Sequence, residues 1–140
     1  MALPRPDPAA TEQSRRLGAL IRQVIRQNGG WIPFSRYMDL ALYAPQLGYY
    51  SGGARKFGAG GDFVTAPELS PLFAECLAEP VAAIMAASRA EVIEVGAGSG
   101  ALAAGLLAAL ARQGALPDHY AILEISGELR ARQAQTLAAQ

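Results

Sequence analysis

Val92-Ile93-Glu94-Val95-Gly96-Ala97-Gly98-Ser99-Gly100 is the stretch on which the fold turns. Its β-branched start predicts a short strand, and the glycines that follow stop it abruptly. Glycine there lets the backbone turn sharply and approach a ligand without a Cβ in the way. Leu102, Leu106, Leu107 and Leu110 then mark one side of a helix ending near Gly114. Beyond Pro117 and Asp118, Tyr120-Ala121-Ile122-Leu123-Glu124-Ile125 predicts a second strand. Ser126 can cap a further helix, with Glu128 favouring its first turn. This β-α-β-α order predicts an α/β fold, the opening of a Rossmann-like doubly wound parallel sheet over residues 90–140.

Upstream, residues 1–10 read as a disordered arm and 11–89 as a helical region. A first helix is predicted from Thr11 to Asn28, where Leu17, Leu20, Ile21, Val24 and Ile25 form one apolar stripe. Arg15, Arg16, Arg22 and Arg26 lie mostly off it as a solvated face, and Gly29-Gly30 supply the stop. Pro33 opens a second helix whose apolar positions include Phe34, Tyr37, Met38, Ala41 and Leu42. Trp31, Phe34, Tyr37, Tyr43, Tyr49 and Tyr50 cluster here, and such spacing predicts core rather than a stacking platform. Gly52, Gly53, Gly58, Gly60 and Gly61 make a flexible loop carrying Arg55 and Lys56. A third helix is expected from Ala66 to Ala87, bent or broken at Pro80, with Cys76 as a small core residue.

The composition excludes several classes. Hydrophobic residues make up 51% and charged residues 17%, so the 140 residues can bury a core. Twelve basic and twelve acidic residues give zero net charge, against a nucleic-acid partner held by bulk positive charge. One cysteine and one histidine, Cys76 and His119, leave no Cys- or His-rich metal site. No apolar run approaches the ~20 residues of a membrane span, and no secretory signal opens the chain. A cytoplasmic protein is the resulting expectation. The pattern reaches Gln140 inside a helix, so the reading expects a piece of a longer, bacterial protein, inactive by itself. Its exposed strand edge leaves a homodimer open.

Glu94 decides between ligands. Gly96, Gly98 and Ala101 satisfy the dinucleotide pattern G-x-G-x-x-G/A. A carboxylate two residues before Gly96 would repel a pyrophosphate, and a buried one needs a cationic partner. S-adenosylmethionine (SAM) brings an ammonium and a sulfonium, so Glu94, Gly96, Ala97, Gly98 and Gly100 suit it better than NAD. Glu124, 24 residues after Gly100, is placed to accept from the ribose hydroxyls.

The glycine turn resembles the first motif of class I SAM-dependent methyltransferases. The rest resembles one branch, the MidA family, whose mitochondrial members are protein arginine methyltransferases that assist complex I assembly. The resemblance rests on Phe34-Ser35-Arg36-Tyr37-Met38, Ala41-Leu42-Tyr43-x-Pro45 and Gly48-Tyr49-Tyr50. It continues through Gly61-Asp62-Phe63-x-Thr65-Ala66-Pro67-Glu68-x-Ser70, the glycine turn, and Leu123-Glu124-x-Ser126 with Leu129-x-x-x-Gln133. Gly105 departs from it, standing where the family tends to place an aspartate.

The resemblance implies methyl transfer from SAM to arginine of a protein substrate. Paired carboxylates would then orient the guanidinium, and Asp62 and Glu68 are the candidates, on a loop expected to close as a lid. Each has a structural alternative: Asp62 as a turn residue, Glu68 as part of a Thr65-x-x-Glu68 capping box. Two other functions remain open at this point: a non-enzymatic SAM-binding or assembly module, and an NAD-dependent oxidoreductase.

Overall fold

The computed structural model describes residues 7–52 and 64–138. The chain divides into two compact units, Met1–Gly53 and Ala54–Gln140.

In the first unit, α1 (Pro8–Gln27) packs on α2 (Phe34–Tyr43). The first helix begins three residues before Thr11 because Asp7 caps it, accepting from the Ala9 and Ala10 N–H groups at 2.6 and 3.2 Å. The predicted stripe from Leu17 to Ile25 is half-buried. Gly29 and Gly30 take φ of +75° and +95°, and the Gly30 N–H closes the helix on the Ile25 carbonyl at 2.9 Å. The aromatic cluster divides. Tyr43 and Tyr50 stack 5.7 Å apart and Tyr49 meets Tyr50 edge-on, all three half-buried. Trp31, Phe34 and Tyr37 are exposed, which corrects their expected place in the core. In the ten-residue α2 burial sets in from Met38 onward, with Leu40 buried and Met38, Leu42 and Tyr43 half-buried, so Phe34 and Tyr37 at its start stay exposed.

The second unit runs α3 (Ala66–Leu69), α4 (Leu72–Ala87), β1 (Glu91–Val95), α5 (Ala101–Arg112), β2 (His119–Leu123) and α6 (Gly127–Ala138). The strands are parallel neighbours, with Val92 opposite Tyr120 and Glu94 opposite Ile122. Ala74, Ala78 and Met85 of α4 form the core with Leu106, Ala109 and Leu110 of α5, and Val92 and Tyr120 pack against it from the sheet. Side chains alternate across a strand. Val92, Glu94, Tyr120, Ile122 and Glu124 are half-buried, while Ile93, Val95, Leu123 and Ile125 are exposed. Burial is therefore one-sided.

Three further expectations need correction. The single helix from Ala66 to Ala87 is two helices, and it parts at Ser70-Pro71 rather than at Pro80. Pro71 drives the preceding residue out of the helical region, and Ser70 is extended at φ −160°, ψ 141°. Pro80 stays inside α4 on its exposed side, where solvent can serve the carbonyl that loses a donor. Cys76 is exposed, because the buried stripe of α4 runs through Ala74, Ala78 and Met85 and misses it. The second strand ends at Leu123, so Glu124 stands just beyond it.

Gly105 has a packing reason. A Cβ there would lie 2.8 Å from the Ala74 Cβ, so the glycine lets α5 approach α4. Among the described residues no helix is long and apolar enough to cross a membrane.

Candidate cofactor site

The glycine turn leaves the end of β1 and delivers the chain into α5. Gly96, Gly98 and Gly100 all have positive φ, at +68°, +55° and +86°. The Gly96 N–H adds a last bond to the ladder, to the Leu123 carbonyl at 2.9 Å. Gly100 N–H closes the turn on the Ala97 carbonyl at 2.8 Å, and Gly100 is the cap of α5. A Cβ on Gly100 would press the Gln133 Cα at 3.3 Å, on top of the backbone strain.

Two residues of α6 hold this turn. The Gln133 amide donates to the Gly98 carbonyl at 3.1 Å and to a Glu124 carboxylate oxygen at 3.3 Å. The Thr136 hydroxyl donates to the Ser99 carbonyl at 2.8 Å. Ser126 caps α6 as expected, its buried hydroxyl accepting from the Leu129 N–H at 3.2 Å. Sequence reading gave Gln133 no role. Its signal was a polar residue four after Leu129, on the buried face of the helix.

A cavity of about 300 Å³ opens between this turn and the start of α3. Glu94, Gly96, Ala97 and Gly98 line it, and Thr65 and Glu68 face them. Its described lining includes two carboxylates and no basic residue. That donor set fits a cation and opposes a pyrophosphate. Among the described residues no His, Cys, Asp and Glu cluster could hold a metal ion.

Three carboxylates sit differently from their sequence readings. Glu94 is half-buried, and its partner is the Tyr120 hydroxyl, which donates to Oε2 at 2.7 Å. No protein cation is needed, since a hydrogen bond and partial hydration carry the charge. Burial, then the hydrogen bond to Glu94 and its charge, hold that phenol protonated far above its ordinary range. Glu68 closes no capping box. Thr65 makes no side-chain cap, and Glu68 instead accepts from the Ser99 hydroxyl, which ties α3 to the glycine turn. Glu124 is no free strand-end group: it accepts from the Ser126 N–H at 2.9 Å and from Gln133. Gly100 and Glu124 are not among the residues that line the cavity, and Gln133 links Glu124 to Gly98, which is. Asp62 lies outside the described residues, as do residues 53–63 of the loop expected as a lid from Gly52 to Glu68.

A parallel strand–glycine turn–helix unit with carboxylates at its strand ends is the cofactor layer of a class I methyltransferase fold. Comparison with known proteins agrees. Residues 72–140 match the Methyltransf_28 family model, described as "Putative S-adenosyl-L-methionine-dependent methyltransferase". The chain is 36% identical over 117 residues to the mitochondrial protein arginine methyltransferase NDUFAF7 of Danio rerio, covering 77% of the chain and 27% of that relative. The Caenorhabditis elegans homologue is 39% identical over 75 residues, covering 51% of the chain and 17% of that relative. A COG1565 superfamily protein of Burkholderia thailandensis, crystallised with S-adenosyl-homocysteine (SAH), superposes with TM-score 0.88 at 61% identity, covering 99% of this chain and 37% of that one. The chain belongs to this MidA-like family of SAM-dependent methyltransferases.

Proposed function

We propose that the protein transfers methyl groups from SAM to arginine side chains of a protein substrate. The observation that carries the reading is the acidic cavity at the glycine turn, in a chain 61% identical to part of a protein crystallised with SAH. Glu94 would hold the ammonium of SAM, the Gly96–Gly98 backbone its close approach, and Glu124 the ribose hydroxyls. SAM supplies an activated methyl group on a sulfonium. The protein then has to align the acceptor nitrogen with the C–S bond and exclude water.

An arginine acceptor needs carboxylates that bind a guanidinium through paired hydrogen bonds. Glu68, lining the cavity and held by Ser99, can take one side of it. Asp62 is the second candidate. The NDUFAF7 relatives are named as arginine methyltransferases, which supports this acceptor. A role in respiratory complex I assembly is the wider function that the resemblance to the mitochondrial members implies. The test is transfer of labelled methyl from SAM to proteins of a cell lysate by the full-length protein, followed by hydrolysis to amino acids. Label in methylarginine is expected. Label in another residue would remove the acceptor assignment, and no transfer alongside tight SAH binding would favour a non-enzymatic SAM-binding module.

A further inference from the structure

The Tyr120 hydroxyl is unused by the chemistry above, yet it reaches the most important carboxylate of the cavity. Its position follows from the sheet. Tyr120 pairs with Val92 across the parallel strands, so Glu94 lies two residues further along β1 on the same face. The ring packs against the α4–α5 core, which fixes the hydroxyl in space. That hydroxyl donates 2.7 Å to Oε2 of Glu94, whose carboxylate lines the cavity. A carboxylate has about four acceptor sites, so one bond from behind leaves the group able to accept from a ligand.

We propose that Tyr120 is a positioning residue for the amino-acid end of the S-adenosyl ligand, acting by holding Glu94 in its ligand-facing rotamer. The proposal rests on reading Glu94 as the ammonium's counter-charge. Without the hydroxyl, Glu94 would sample several rotamers and hold the ammonium only part of the time. The adenosine end, bound elsewhere along the turn, would not notice. A half-buried tyrosine that had merely found a partner for its hydroxyl would show no such selectivity.

The experiment compares two ligands by calorimetry: SAH, and 5′-methylthioadenosine, which has the same nucleoside and sulfur but lacks the amino-acid group. In Tyr120→Phe, SAH should bind about five- to tenfold more weakly, the value of one lost hydrogen bond. The affinity for 5′-methylthioadenosine should stay within about twofold, the noise of a remote site. Equal weakening of both ligands, or no change in either, would overturn the proposal. Glu94→Gln separates the two levels. If Glu94→Gln binds SAH like the wild type, the reading of Glu94 itself fails. If it loses SAH selectively while Tyr120→Phe does not, only the role of Tyr120 fails. Should Tyr120→Phe not fold, the wild type still decides: the Cζ resonance of labelled Tyr120 should move with SAH and not with 5′-methylthioadenosine, and the reverse would refute the link.

Discussion

Replacing Gln133 by methionine tests how the glycine turn is held. Gln133 is 4% exposed, and its amide joins the Gly98 carbonyl to the Glu124 carboxylate. Methionine keeps the length and removes both donors. The bond to the neutral Gly98 carbonyl is worth about 1 kcal/mol. A bond to a carboxylate would usually be worth more, but this one is 3.3 Å long and Glu124 is only half-buried, so water recovers part of it. Another ~1 kcal/mol is a fair count. The sum, about 2 kcal/mol, corresponds to a urea midpoint lower by about 1 M at a slope of ~2 kcal/mol/M. SAH affinity should fall several-fold as well, because the turn and Glu124 lose their common tie. Gln133→Glu sharpens the test by placing a second carboxylate beside Glu124. At neutral pH it should be less stable than the methionine variant, because like charges repel. Urea unfolding at pH 7 reads both effects. Wild-type midpoints for both variants, with SAH binding intact, would refute the claim that α6 fastens the turn.

Gly105→Ala sets helix propensity against packing. Alanine would gain about 1 kcal/mol as a helix former, but its Cβ meets Ala74 at 2.8 Å on a neighbouring helix with no side chain to swing aside. Overpacking of that kind costs about 1–3 kcal/mol, so thermal unfolding should show no stabilisation and up to ~2 kcal/mol of loss; a clear rise in Tm would show that α4 and α5 can separate freely. Glu68→Gln keeps an acceptor for the Ser99 hydroxyl and removes the charge. It should cost less than ~1 kcal/mol of stability and leave SAH affinity within a few-fold while lowering methyl transfer by the full-length protein; full turnover there would confine Glu68 to tying α3 to the turn.

The β-α-β-α order was legible because strand and helix periods and the glycine turn are local signals, and the parallel pairing of β1 and β2 follows from them. Glu94 was picked out by its place before Gly96, and it does line the cavity. Its partner was not legible, since Tyr120 reaches it only through strand register, across 26 residues of sequence. Glu68 misled for a related reason. Thr65-x-x-Glu68 has the local spacing of a capping box, but a tertiary contact with Ser99, 31 residues away, takes the carboxylate. Pro80 was read as the helix breaker and Pro71 passed over. What separates them is the residue before: Ser70 is extended and can cap the next helix, donating no apolar side chain to the core, whereas Pro80 sits on the solvent side of a continuous helix. Gly105 looked like a flaw because propensity is visible in sequence and the closeness of two helices is not.

The central claim is that the acidic cavity at the glycine turn holds an S-adenosyl ligand through Glu94. Isothermal calorimetry of the protein and of Glu94→Ala with SAH, and with NAD as the competing nucleotide, tests it most directly. SAH should bind the wild type with one site, NAD should not bind, and a folded Glu94→Ala should lose SAH affinity by about tenfold or more, the cost of removing a charge-assisted hydrogen bond. Binding of NAD in preference to SAH, or an unchanged SAH affinity in folded Glu94→Ala, would contradict it.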